Sequence, residues 1–171
     1  MTPRTVRNGL LSLAVALIAG PALAQDAAVP PGEQPVDPYT QSNANAGATP
    51  LAGTAVLAAF HGQAGLTRIA GDLVDRSVAD PRIKDFFAAA DLTRLKRTLT
   101  EQFCYVLGGG CAYTGRDMTS VHKDQGIAPR DFNALVENLQ WAMDKEGVPF
   151  AAQNRLLAKL APMSRQAIEN R

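Results

Sequence analysis

The sequence has few of the residues on which most enzyme and metal sites depend. Its 171 residues include two His, two Cys and one Trp. Neither a G-x-S-x-G motif nor a C-x-x-C-H motif is present, and the Cys and His residues do not show the short paired spacings of a structural zinc site. These absences exclude a nucleophile-elbow hydrolase, an ordinary c-type cytochrome and a zinc-finger fold.

An excess of charge of one sign is also missing. The chain has 17 Lys and Arg against 16 Asp and Glu, a formal net charge of +1, and it contains no run rich in Lys or Arg. Proteins that bind nucleic acid need a clustered basic face. The composition therefore predicts no nucleic-acid partner.

Long apolar runs are limited to the beginning of the chain. Arg4 and Arg7 precede an apolar stretch, residues 9–19, and Ala22-Leu23-Ala24 has the small-x-small pattern of a cleavage site. The stretch is shorter than the roughly 20 residues that span a bilayer. We therefore expect residues 1–24 to be a Sec-type signal peptide. The mature protein would then be periplasmic or secreted, without a membrane span after cleavage.

Residues 25–50 have a different composition from the rest of the chain. They contain five Pro among Gly, Ala, Asn, Gln and Ser, and almost no large apolar side chain. Such a segment buries too little apolar surface to offset the entropy lost on ordering. The sequence therefore predicts a disordered linker over 25–50 and a folded domain over 51–171.

From Leu51 onward the apolar residues recur at helical spacing, and no window alternates as a strand does. This predicts a single all-α domain. The clearest helix has Asp91 as its N-cap, ends at Gly108, and carries one apolar stripe: Leu92, Leu95, Leu99, Phe103 and Val106. Further helices are predicted around residues 56–60, 66–78, 118–122, 129–143 and 156–160. Several short helices favour a crossed arrangement around a core or a ligand over a regular bundle.

The two histidines have different surroundings. His61 stands beside Gly62 at a helix end, which is typical of a solvated terminus. His122 shares the apolar side of a short helix with Met118, four residues earlier. On the residues alone, two roles stay open for His122: a buried core histidine, which is the more frequent role, or a metal ligand.

The two cysteines are close in sequence. Cys104 lies near the end of the long helix and Cys111 follows three glycines, so the chain can fold back and bring the two sulfurs together. An exported protein meets an oxidising compartment. We expect a structural disulfide that contributes about 2.5 kcal/mol in the chain-entropy account. A redox-active pair is the alternative.

A series of short motifs runs through the domain. In chain order they are Asp80-Pro81, Phe86-Phe87, Leu95-Lys96, Leu107-Gly108-Gly109, Tyr113-Thr114-Gly115, Met118, His122, Gly126-Ile127, Phe132 and Gly147-Val148-Pro149. Their order and spacing resemble the group I truncated haemoglobins, from about Thr54 to the end of the chain. The resemblance implies a truncated globin fold, a 2-on-2 sandwich of helices that holds haem b and its iron without a covalent link.

The resemblance also implies roles for individual residues. His122 is expected to be the proximal ligand of iron, and Phe87 the aromatic residue packed on the haem face. The other side chains expected to contact haem are Leu95, Leu99, Phe103, Met118, Val121, Ile127 and Phe132. The distal pocket, where a diatomic ligand such as O2, CO or NO would bind, is expected to consist of Val74, Leu95, Thr98 and Leu99.

Two departures from the family pattern affect the expected function. The family usually has a Tyr after a Phe in the second helix and often a Gln in the distal helix, and here those places hold Leu73-Val74 and Leu99. Without these donors, O2 binding should be weak, while CO should be less affected. This favours a ligand-binding protein. An NO-consuming or peroxidase-like enzyme with an external reductant, and a haem-free helical partner-binding module, stay open as alternatives.

Overall fold

The computed structural model describes residues 29–168 of the chain, and this part is helical, without a β-strand. The predicted signal peptide lies outside the described residues. The α-helices are α1 (Ala55–Ala59), α2 (Gly62–Ala79), α3 (Leu92–Val106), α4 (Met118–His122), α5 (Pro129–Lys145), α6 (Phe150–Leu160) and α7 (Ser164–Ala167). Three short 3-10 helices cover Asn43–Ala46, Lys84–Phe87 and Ala161–Met163.

The helices begin where the sequence provides caps. The Asp91 carboxylate accepts a hydrogen bond from the amide of Arg94 at 3.0 Å and starts α3. Pro129 occupies the first turn of α5, where its missing N–H costs nothing. The predicted helices around 56–60, 66–78, 118–122, 129–143 and 156–160 are confirmed, whereas α7 and the 3-10 helices were not predicted.

One apolar core holds the long helices together. Helix α2 packs against α3 and α5, and α3 also contacts α6. Phe60, Leu66, Ile69 and Leu156 are completely buried between them. The fold is therefore all-α with a single domain, as predicted. Within residues 29–168, no helix is long and apolar enough to cross a membrane.

The turn after α3 depends on glycine and on a disulfide. Gly108 has a φ of +82°, and a Cβ there would lie 2.5 Å from the carbonyl oxygen of Leu51. Only glycine fits both the left-handed backbone and this close approach. Two residues later the chain turns back, and Cys104 and Cys111 form a disulfide with their Cα atoms 5.8 Å apart. The predicted disulfide is confirmed.

Residues 29–50, which we call the N-terminal strap, differ from the expected disordered linker. The strap runs along α3 and the loop between α3 and α4, and Ala46 within it is completely buried. Tyr39 Oη donates to the carbonyl oxygen of Thr114 at 2.7 Å, and Asn45 Nδ2 donates to that of Gly115 at 3.2 Å. Polar partners, rather than large apolar side chains, hold the strap in place, which is why its composition did not indicate order.

Candidate haem site

His122 is the last residue of α4 and is half-buried. Its Nδ1 lies 2.7 Å from the carbonyl oxygen of Met118, one turn earlier. A carbonyl oxygen can only accept a hydrogen bond, so Nδ1 must carry the proton. The lone pair of Nε2 is then available to a metal, and the bond through Nδ1 fixes the ring orientation, as is usual for metal-binding histidines.

Helix α4 is positioned by its own cap and by α7. Asp117 accepts hydrogen bonds from the amide of Ser120 at 3.0 Å and from its hydroxyl at 2.6 Å. These bonds hold the pKa of Asp117 below its usual range. On its other side, α4 packs against α7. The sequence Asp117 to His122 thus forms one capped turn that ends in the candidate ligand.

Most of the apolar residues expected to contact haem form a partly uncovered set. They lie on the Lys84–Phe87 turn, on α3, on α4 and at the start of α5. Six are half-buried and Val121 is 36% exposed; the set is Phe87, Leu95, Leu99, Met118, Val121, Ile127 and Phe132. Apolar side chains that the protein does not cover itself are typical of a ligand-binding surface. Such a set fits a large, flat, apolar cofactor.

Two of the expected pocket residues lie deeper. Val74 on α2 and Phe103 on α3 are each only 1% exposed, and both belong to the buried core. Val74, expected in the distal pocket, and Phe103, expected at the haem, are therefore covered by the protein itself, unlike the half-buried set.

Four of the polar side chains along α3 have protein partners. Lys96 Nζ lies 2.6 Å from Asp75 Oδ1, and Thr98 Oγ1 donates to the carbonyl oxygen of Arg94 at 3.0 Å. Gln102, which is 5% exposed, donates to the carbonyl oxygen of Ala46 at 2.9 Å. Arg97 binds Glu33, Glu101 and Thr114, and the carboxylates of Glu33 and then Glu101 raise the pKa of Arg97. Each of these donors is held by the protein itself.

The donor set restricts which metal centre could sit here. Within residues 29–168, no three His, Cys, Asp or Glu side chains are grouped so that they could hold a metal ion. Iron bound through His122 must therefore bring most of its ligands with it, as the iron of a porphyrin does. A single oriented imidazole together with a set of half-buried apolar side chains fits haem.

Sequence reasoning missed the contribution of the strap to this region. Glu33, in the segment expected to be disordered, has a carboxylate that is 1% exposed and pairs with Arg94 and Arg97 on α3. Gln102 on α3 is likewise buried against the strap, where it donates to the carbonyl oxygen of Ala46. Glu33 and Arg97 are 64 positions apart, and Ala46 and Gln102 are 56 positions apart. No local sequence pattern could therefore indicate either contact.

Comparisons with known proteins identify the family of the chain. The model of the bacterial-like globin family matches residues 56–169. The group 1 truncated hemoglobin GlbN of Mycolicibacterium paratuberculosis is 34% identical over 89 residues, which are 52% of this chain and 65% of that protein. The chain thus spans slightly less than two thirds of that relative.

Two solved structures have the same fold. The truncated hemoglobin of Tetrahymena pyriformis in its Fe(III) form superposes with a TM-score of 0.64 at 23% identity, covering 67% of this chain and 98% of that one. The 2/2 hemoglobin of a Synechococcus species, in the cyanomet state and with covalently attached heme, has a TM-score of 0.62 at 19% identity, with the same coverage.

A small helical domain with one oriented histidine and a set of half-buried apolar side chains is typical of a globin. The chain belongs to the bacterial-like globin family and has the 2/2 fold of a group 1 truncated haemoglobin.

Proposed function

We propose that the chain binds haem b without a covalent link, with Nε2 of His122 as the proximal ligand. The supporting observation is the hydrogen bond between His122 Nδ1 and the carbonyl oxygen of Met118, which orients the ring and leaves the lone pair of Nε2 available to iron. Both cysteines are in the disulfide, so no thiol is free for a thioether link. Haem would supply an iron centre that binds small diatomic gases.

The absorption spectrum tests this proposal. Haem is added to wild-type protein, His122→Ala and His61→Ala, and spectra are recorded oxidised, reduced and under CO. We expect a Soret band that shifts with CO in wild type and collapses in His122→Ala. His61→Ala is the matched control, because His61 is exposed and its Nδ1 pairs with Glu146. A wild-type chain that takes up no haem, or an intact spectrum in His122→Ala, contradicts the proposal.

We further propose that O2, CO and NO bind on an apolar distal side lined by Leu95, Leu99, Thr98 and Val74. The side chains of Lys96, Thr98 and Gln102 on α3 support this, because their donors are already engaged by other groups of the protein. O2 gains from a hydrogen-bond donor more than CO does, so this pocket should hold O2 weakly. The chain itself provides binding and orientation, and turnover would need an external reductant.

Restoring a hydroxyl tests the distal assignment. Val74→Tyr should slow O2 dissociation by about tenfold or more, the equivalent of one hydrogen bond to a polar partner. Val74→Phe adds the same ring without the hydroxyl and controls for the change in packing, while CO dissociation serves as the second control. Equal O2 dissociation rates in the Tyr and Phe variants would contradict the assignment of residue 74 to the distal side.

We propose that the protein is exported to the periplasm or secreted after removal of residues 1–24. A disulfide is typical of oxidising compartments, which supports this location. The test is the N-terminal sequence of the protein recovered from the periplasmic fraction. A first residue at Gln25 supports the proposal, and an uncleaved cytoplasmic protein contradicts it.

A further inference from the structure

The N-terminal strap touches both sides of the candidate haem site. We call α3 the distal wall and α4 the proximal wall. At its beginning, the strap lies on α3: the amide of Gln34 donates to Asp91 Oδ2 at 2.7 Å, and Gly32 lies beside Thr93. At its end, the strap reaches α4, where a Cβ on Gly47 would lie 3.3 Å from Met118 Cγ.

Glu33 is the most buried charge of the strap. Its carboxylate is 1% exposed and accepts two hydrogen bonds from Arg97, at 2.5 and 3.0 Å. Arg94 Nε lies 3.3 Å from the same carboxylate. Removal of one partner from a buried ion pair leaves an uncompensated charge behind, which is strongly destabilising.

The network of Glu33 continues into the loop that precedes α4. Arg97 also binds Glu101 at 2.6 Å, and Glu101 accepts hydrogen bonds from the amide and the hydroxyl of Thr114 at 2.9 and 2.7 Å. Tyr39 Oη donates to the carbonyl oxygen of Thr114. The strap therefore holds the 111–117 loop from two sides, and this loop leads directly into α4.

The middle of the strap adds two further bonds to the same region. Asn43 Oδ1 accepts a hydrogen bond from the amide of Tyr113 at 2.8 Å, and the carbonyl oxygen of Ala46 accepts one from Gln102 on α3 at 2.9 Å. Gly47 then packs between Met118 and Met163. All of these strap residues lie before residue 56, where the match to the globin family begins.

We propose that the N-terminal strap fixes the position of α4 relative to α3, with Glu33 as the positioning residue that anchors it. The consequence for haem retention rests on the proposed function, because it requires that haem binds between α3 and α4. Through Arg97, Glu101 and Thr114, the Glu33 carboxylate acts on the loop that carries His122 into place. Haem should leave faster when this anchor is lost.

The test compares Glu33→Gln with Asp37→Asn in otherwise full-length chains. Both variants remove one carboxylate from the strap, but in Asp37 only the backbone carbonyl is engaged, by Arg116. In haem-free protein, Glu33→Gln should raise hydrogen exchange of the amides of residues 111–122 by about tenfold, with α2 and α5 unchanged. In haem-loaded protein, transfer of haem to an acceptor apoglobin should accelerate by a similar factor. Asp37→Asn should change neither rate.

A second variant covers the case in which Glu33→Gln fails to fold. Tyr39→Phe removes only the hydroxyl that binds Thr114 and should shift both rates in the same direction by a smaller factor. Faster exchange confined to residues 29–50, or spread evenly over the whole chain, overturns the inference. If wild type takes up no haem but the exchange at 111–122 responds as expected, the proposed function fails and the positioning role stands.

Discussion

The two walls of the candidate haem site are built in different ways. Helix α3 has 15 residues, and Phe103, Cys104 and Val106 on it are at most 1% exposed. Helix α4 has five residues, none of them buried. A helix this short is not stable by itself in water. The distal wall is therefore positioned by apolar burial, and the proximal wall by a cap, a disulfide loop and the N-terminal strap.

The largest expected effect separates two phenylalanines. Phe103→Ala should lower the free energy of unfolding by about 3–5 kcal/mol, because it leaves a cavity in the core. Phe87→Ala removes the same side chain from a half-buried position in the Lys84–Phe87 turn and should cost less than half as much. Urea unfolding of the haem-free variants measures both losses. Equal losses would mean that Phe87 belongs to the core rather than to the cofactor surface.

The disulfide should matter mainly for the proximal wall. The double variant Cys104→Ala/Cys111→Ala should lose about 2.5 kcal/mol of stability, the value for closing a short loop in the chain-entropy account. Hydrogen exchange should increase most over residues 107–122, because the disulfide joins the end of α3 to the loop before α4.

Reduction of the wild-type protein is the control for the disulfide variant, because it breaks the same bond without removing atoms from the core. Reduced wild type and the double variant should show the same exchange pattern. An increase that is equally large in α2 and α5 would mean that the disulfide stabilises the whole fold, and the contrast between the walls would be lost.

The distal wall and the orientation of His122 could be predicted because their signals are local. Asp91 and the apolar stripe that follows it lie within a few turns of one another, and they define α3 almost to the residue. Met118 and His122 are one turn apart, so their common face follows from helical spacing. The disulfide also joins cysteines only seven positions apart.

The contacts of the strap and the burial of the pocket residues could not be predicted in this way. Glu33 meets Arg97 across 64 positions, and the contact is polar, so no apolar pattern marks it. Phe103 and Leu99 lie on the same predicted stripe, yet one is completely buried and the other half-buried. Helical spacing identifies the apolar face of α3, but only the packing of α2 and α6 decides which residues on that face the protein covers.

Two glycines should respond in opposite directions to the same change. A Cβ on Gly115 would overlap with Tyr113 Oη, so Gly115→Ala should cost about 1–3 kcal/mol through overpacking in the loop before α4. Gly71 lies inside α2 with open space around its Cβ position, so Gly71→Ala should stabilise the protein by up to about 1 kcal/mol. Thermal unfolding measures the sign of the stability change in both variants. A neutral Gly115→Ala would show that the loop before α4 adapts without strain.

The smallest expected effect is the response of the two regions to acid. Asp117 caps α4, and its pKa is lowered by hydrogen bonds from Ser120. Glu146, at the end of α5, has its pKa lowered to about 2, mainly by its hydrogen bond with Arg68 and then by that with His61. A carboxylate with a lowered folded-state pKa stabilises the folded protein above its unfolded pKa, about 4, and this contribution is lost as the pH falls through the folded value.

Neutral isosteres distinguish the two carboxylates. Asp117→Asn keeps a capping oxygen but does not titrate, so it should abolish the acid-induced increase of hydrogen exchange in α4 that appears as the pH falls below about 4. Glu146→Gln should flatten the acid dependence of global unfolding and leave that of α4 unchanged. Hydrogen exchange of the α4 amides, corrected for the intrinsic pH dependence of exchange, measures the acid response of α4. Urea unfolding measures the acid dependence of global stability. If either variant changed both quantities, the two regions would be coupled through the core. The stability of α4 would then not depend on its own hydrogen bonds.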